Sequence, residues 1–166
     1  MKMAVLCYVT HEDSVLMLHR NKRKTDYHLG KWNGLGGKFL PGESPEQCLL
    51  REVWEESGLQ PETYSLRGII TFPLFDGVED WYTFVYTASS AKKEVIDPEE
   101  GTLAWIPRSE VLSLNLWEGD RIFLDWVFNR TEFFSAVFRY RAGEFKDYEV
   151  VFYPATVPGT VNNHAD

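Results

Sequence analysis

Apolar positions recur every second residue, or in short unbroken runs, along much of the chain, and at helical spacing in two segments. Residues 4–10 and 15–19 read as two strands joined by a polar turn at 11–14. Residues 21–28 are a basic, polar loop carrying Lys22, Arg23 and Lys24. The stretch 30–38, Gly-Lys-Trp-Asn-Gly-Leu-Gly-Gly-Lys, is too rich in glycine for a helix and predicts a tight backbone turn that another group approaches closely. A helix follows, with Ser44 as N-cap, Pro45 at the first helical position, Gln47 completing a capping box, and Gly58 as the left-handed stop after Ser57. Strands are predicted at 66–72 and 81–87 around a turn at Asp76-Gly77, and at 102–106 before a short helical turn at 108–112. Helical spacing returns at 120–128 through Ile122, Phe123, Trp126 and Val127. Residues 132–140 and 147–153 predict a hairpin through 141–145. The small, Pro-interrupted stretch 154–166 predicts a disordered tail. With neither repeat nor linker, 1–153 reads as a single domain: a mixed sheet with helices on its faces.

Composition narrows the class. The 166 residues, 44% hydrophobic and 15% aromatic, suit one compact domain. Seventeen Lys and Arg against 25 Asp and Glu leave a formal charge of −8. That balance disfavours a nucleic acid polymer, which needs a basic surface, but permits a polyphosphate ligand bridged by a divalent cation. Cys7 and Cys48 lie far apart and in no metal-binding spacing, so they read as small buried apolar residues in a reducing compartment. The apolar start is short and lacks a cleavage pattern, and no later run would span a bilayer. A cytoplasmic protein with no membrane partner is the expectation, with the oligomeric state left open.

On a helical wheel for 44–58, Glu52, Glu55 and Glu56 fall within one arc with Cys48 beside them, while Leu49, Leu50, Val53 and Trp54 take the side expected to pack on the sheet. Three clustered carboxylates repel one another unless a cation neutralises them, and a hard ion such as Mg²⁺ takes oxygen ligands of this kind. The Gly36-Gly37 turn can add a backbone carbonyl and let phosphate oxygens come near. Most Glu-rich stripes are merely solvated faces; the residues upstream decide against that here. Gly37, five residues, Glu43, seven residues, then Arg51-Glu52-Val53-Trp54-Glu55-Glu56-Ser57-Gly58-Leu59 matches the pattern Gx5Ex7REUxEExGU at every specified position. Chance agreement at average composition is on the order of 10⁻¹⁰ per start position.

This pattern is the Nudix box, and the chain resembles the MutT/Nudix hydrolases over residues 37–59 and, less specifically, over 3–153. The resemblance implies an α+β fold, the Nudix α/β/α sandwich with a mixed β-sheet and the box as loop–helix–loop. It also implies water attack on a nucleoside diphosphate linked to X, with Mg²⁺ or Mn²⁺ as cofactor. Glu52, Glu55 and Glu56 become metal ligands with the carbonyl of Gly36 or Gly37, and Glu43 and Arg51 pair to hold the loop on the helix. Glu100, with Glu99 as alternate, is the further carboxylate expected from the second half; Glu52 and Glu100 are the candidates for the base.

Beyond the box, the segments 32–38 (with Lys38), 80–83, 117–120 and 133–136 are similar to those of 8-oxo-dGTP diphosphatases of the bacterial MutX-like branch, which sanitise the nucleotide pool and so support DNA repair. Under that resemblance Asn33 and Asp120 hydrogen-bond a purine edge, Trp117 stacks on the ring, and the partner is a purine nucleoside triphosphate. Mammalian members carry two adjacent acids where this chain has Gly119 and then Asp120. Other Nudix specificities (ADP-ribose, a nucleotide sugar, general NTP) and a silent nucleotide-sensing domain are the alternatives. The complete set of box carboxylates disfavours the last.

Overall fold

The computed structural model describes residues 1–156 and 162–164. Its backbone is a ten-stranded mixed sheet system. β1 (Lys2–His11), β2 (Ser14–His19), β3 (Trp32–Asn33) and β4 (Leu35–Lys38) precede α1 (Pro45–Ser57). Then come β5 (Thr63–Phe72), β6 (Trp81–Ser89), β7 (Thr102–Pro107) and a 3-10 turn (Arg108–Ser113). α2 (Glu118–Asn129), β8 (Phe133–Arg141), β9 (Glu144–Tyr153) and β10 (Asn162–His164) complete it. The main path runs β10-β9-β8-β5-β6-β1-β2-β3, with β4 added to β1 and β7 to β2. β1 lies parallel to β6, from Lys2↔Trp81 to Thr10↔Ser89, and β5 parallel to β8. The remaining pairings are antiparallel. The α+β Nudix sandwich is observed.

The near-continuous apolar runs in β1 and β2 follow from burial on both faces. Tyr8, Val15 and Met17 join one core with Phe123, Leu124, Trp126 and Val127 of α2. Val5, Cys7, Val9, Leu16 and Leu18 join a second core with Cys48, Leu49 and Val53 of α1. Alternate residues of the same strands thus serve two helices on opposite faces. Both cysteines are free and buried, in keeping with the apolar role expected of them.

Several expectations need correction. The glycine-rich stretch 30–38 is not one turn but two short strands. A Cβ at Gly36 would lie 2.0 Å from the Val5 carbonyl oxygen, so glycine is what lets β4 pair against β1 at this distance. The hairpin turn is only Ala142-Gly143, both with positive φ (52° and 79°), the twist a two-residue connection needs. α2 begins at Glu118, two residues before the expected start, with no side-chain cap. Of the expected tail, Asn162–His164 pairs antiparallel with β9, while 157–161 and 165–166 lie outside the described residues. Among described residues no helix is long and apolar enough to cross a membrane.

The helical wheel also needs correction. Leu50 and Trp54, expected on the sheet, are 38% and 54% exposed, whereas Cys48 and Glu56 are buried beside Leu49 and Val53. The packing face of α1 is rotated towards the carboxylates. Replacing Leu49 by Ala should therefore cost about 2–5 kcal/mol in urea unfolding, and replacing Trp54 by Ala about 0.5 kcal/mol or less. Equal losses for the two variants would contradict this orientation.

Candidate active site

The loop between β4 and α1 is held by a single guanidinium. Arg51 donates from Nε and Nη2 to the two carboxylate oxygens of Glu43 (2.6 and 3.0 Å) and from Nη2 to the Lys38 carbonyl (3.0 Å). It also donates from Nη1 to Glu52 (2.8 Å) and Glu55 (3.2 Å). Glu43 additionally accepts from the Leu40 N–H, and these bonds, Arg51 foremost, hold its pKa down at about 2. The Ser44–Gln47 capping box, Pro45 at the helix start and the left-handed Gly58 fix both ends of the helix as its sequence implies.

Within this frame two carboxylates turn inward. Glu52 packs against Gly37 so closely that a Cβ there would fall 2.5 Å from its carboxyl carbon. Burial raises the Glu52 pKa against the opposing pull of Arg51. Glu56 is buried, takes a hydrogen bond from the Gly36 N–H, and keeps its Oε2 without a partner. Its pKa rises to about 9, first through burial and then through the charges of Glu100 and Glu52. Glu100 therefore lies near Glu56, with its side chain 30% exposed and 3.9 Å from Arg23, while Glu99 is 93% exposed and pairs with the same Arg23 at 3.5 Å. Glu55 points to solvent, tied to Arg51.

As they stand, no three His, Cys, Asp or Glu among the described residues form a closed metal cage. The orphaned Glu56 oxygen, and the charges of Glu52 and Glu100 that raise the Glu56 pKa, do fit a divalent cation with oxygen ligands. Glu52, Glu56 and Glu100 would hold it, with the glycines of β4 alongside; Glu55 would have to leave Arg51 to join them.

On the other side of β4 a cavity of about 380 Å³ opens. Asn33, Lys38, Phe72, Trp81, Trp117 and Asp120 are among its lining residues. The Asn33 amide oxygen is buried without a partner. Asp120 is buried, and desolvation lifts its pKa to about 7 against the charge of Lys31. It stands inside the first turn of α2 and does not cap it. A Cβ on the preceding Gly119 would lie 2.5 Å from the Tyr140 hydroxyl, which accepts the Gly119 N–H at 2.7 Å, so a second acid has no room there. Lys38, its amino group 5.3 Å over the Trp81 ring, lies between cavity and box.

Residues 1–127 match the NUDIX domain family. The chain belongs to the Nudix family. A Bacillus subtilis protein named as an uncharacterized Nudix hydrolase is 31% identical over 138 residues, covering 81% of this chain and 84% of that one. A Danio rerio oxidized purine nucleoside triphosphate hydrolase is 28% identical over 132 residues, 80% of this chain and 83% of its own. The crystal structure of a MutT protein from Bacillus halodurans, 30% identical, superposes with a TM-score of 0.81 over 90% of this chain and 97% of that one. The box helix α1 is thus a Nudix helix, and the protein is a Nudix hydrolase.

Sequence reasoning missed Tyr27, His28, Phe75 and Tyr140, which complete the cavity wall of this Nudix domain. His28 Nδ1 accepts from the Trp117 indole N–H at 2.8 Å, and burial holds its pKa down at about 4, so the imidazole is neutral. Phe75 packs edge-on against Trp117 and Tyr140 (centroids 5.3 and 5.2 Å). These residues come from loops and a distant strand, and no spacing in the chain links them to the box.

Asp120 carries a pH signature. Its folded pKa near 7 lies above the ordinary 3.8, so the folded protein keeps a proton that the unfolded chain releases. Between about pH 4 and pH 7 this group lowers stability as pH rises. The metal-free protein should lose Tm across that window, and Asp120→Asn should make the slope shallower; identical slopes would show that Asp120 is not buried as described.

Proposed function

We propose that the protein hydrolyses oxidised purine nucleoside triphosphates, 8-oxo-dGTP foremost, to the monophosphate and pyrophosphate. One observation carries the reading. An aromatic cavity with two buried polar groups at its edge, the Asn33 amide oxygen and Asp120, adjoins the carboxylate-lined box through Lys38. A planar base fits between aromatic walls, and buried groups left unpaired favour a ligand that pairs them. Oxidation at C8 of guanine turns N7 from acceptor to donor, which an ionised Asp120 can accept. An unmodified purine leaves the ionised carboxylate without the partner, so the preference for the oxidised base should grow as pH rises past about 7. The names of the Danio rerio and Mus musculus relatives, both oxidized purine nucleoside triphosphate hydrolases, support the same class.

The chain's own residues divide the work. Trp117, held by His28, offers a ring for the base, and Asn33 and Asp120 meet its edge. Lys38, on the cavity wall next to Gly37, would meet the phosphates on their way to the box. A divalent cation bound by the box would neutralise phosphate charge and ease deprotonation of the attacking water. Glu52 and Glu100 are the candidates to orient that water. The rival reading, a general nucleoside triphosphatase or another NDP-X hydrolase, predicts no preference for the oxidised base.

Turnover should vanish in excess EDTA and return with Mg²⁺ or Mn²⁺. Glu56→Gln should lower kcat by several orders of magnitude with an unchanged melting profile. Full turnover in EDTA would sink the metal assignment. Asp120→Asn should lower kcat/KM for 8-oxo-dGTP more than for dGTP, by about 1–3 kcal/mol of discrimination. A uniform fall for both nucleotides would transfer the assignment to a general triphosphatase.

A further inference from the structure

A second groove lies at the far end of β5 and β6, away from the base cavity. Arg67 and Phe72 stand on the same strand five residues apart, about 17 Å at strand rise, and the two cavities share no lining residue. The groove, of about 490 Å³, is walled by Ser65 and Arg67 of β5, Thr87 of β6, Arg108 of the 3-10 turn, and Phe128 and Thr131 at the end of α2. Ser65, Arg67, Thr87, Arg108 and Phe128 also line a smaller adjoining hollow of about 200 Å³, so the two form one continuous depression.

Two guanidinium groups meet here without an acid. In a chain of net charge −8, Arg20, Arg23, Arg51, Arg130 and Arg139 pair with carboxylates, while Arg121 is bonded to the carbonyls of Leu112 and Leu114. Among the described residues neither Arg67 nor Arg108 has a carboxylate within ion-pair distance. Arg67 donates to the carbonyls of Val127 (2.9 Å) and Arg130, at the negative end of the α2 dipole. Arg108 lies 5.1 Å over the Phe128 ring and reaches that residue's carbonyl at 3.5 Å. Capping the helix accounts for part of Arg67 and little of Arg108. Each guanidinium retains N–H donors beyond these bonds. The two cations also repel: Arg67 is partly buried, and burial together with the Arg108 charge lowers its pKa. A part-buried guanidinium and an exposed one facing the same depression can both be met by an anion between them, and guanidinium forks match phosphate oxygens. The hydroxyls of Ser65, Thr87 and Thr131 line the same space.

We propose that this groove is a second anion site, separate from the catalytic centre, which takes the phosphate group of a small ligand between Arg67 and Arg108.

The test is an NMR titration of the ¹⁵N-labelled full chain in metal-free buffer, at ionic strength held constant with chloride. Inorganic phosphate, pyrophosphate and dGMP are added in turn. The Nε–Hε signals of Arg67 and Arg108 and the amides of 127–131 should shift and saturate. Arg108→Gln should weaken the apparent affinity about tenfold through loss of a charge-assisted contact. Arg67→Gln should do the same. Because Arg67 also caps α2, the Arg108 variant carries the decision if the Arg67 variant melts early. Equal affinity for phosphate and dGMP would identify a free anion as the ligand, and tighter dGMP binding with shifts around Phe128 a nucleoside monophosphate. The proposal is overturned if the shifts stay linear throughout, if chloride reproduces them, or if they are confined to the Lys38 region. It is equally overturned if Arg108→Gln binds phosphate as the native chain does.

Discussion

Arg51 ties the loop after β4 to the helix that follows it. Its fork closes on Glu43, reaches the Lys38 carbonyl, and sets the carboxylate of Glu52 beside Gly37. Once that register is fixed, Glu56 one turn further on is carried under β4, where the Gly36 N–H donates to it. The geometry leaves one carboxylate oxygen without a partner in a buried place, which is unfavourable for the metal-free fold and favourable for anything cationic that arrives.

Strand alternation then separates the two tasks. β1 and β2 send alternate side chains to the core under α1 and the core under α2. The short strands β3 and β4 lie at the seam between them. Asn33, on β3, looks into the aromatic cavity, while Gly36 and Gly37, on β4, meet the carboxylates of α1. Lys38 follows them and lines the cavity, while its carbonyl accepts from Arg51 of the box. A base and its phosphates can therefore be read by different residues a few positions apart in the chain.

Much of this was legible beforehand, for identifiable reasons. The ends of α1 are set by local hydrogen bonds of Ser44, Gln47 and Gly58, so the sequence carries them directly. The box has a fixed spacing because loop and helix must close on one another. What failed was the wheel: it sorts residues by polarity, and here the buried face includes Glu56 while Leu50 and Trp54 meet solvent. Functional sites bury polar groups against the usual rule, and polarity patterns mislead there. Tyr27, His28 and Phe75 escaped because loop conformation brings them to Trp117. The single acid at Asp120 was visible in the sequence, but its reason, the Tyr140 hydroxyl occupying the space beside Gly119, was not.

The central claim is that box and cavity form one continuous site that reads phosphate on one side of Lys38 and a purine on the other. A crystal structure grown with 8-oxo-dGMP and Mn²⁺ tests it most directly. The account predicts an anomalous manganese peak in contact with Glu56 and Glu52. It also predicts the purine inside the aromatic cavity, with its edge at Asn33 and Asp120 and its ring on Trp117. A purine bound outside that cavity, or manganese bound away from the box, would contradict it.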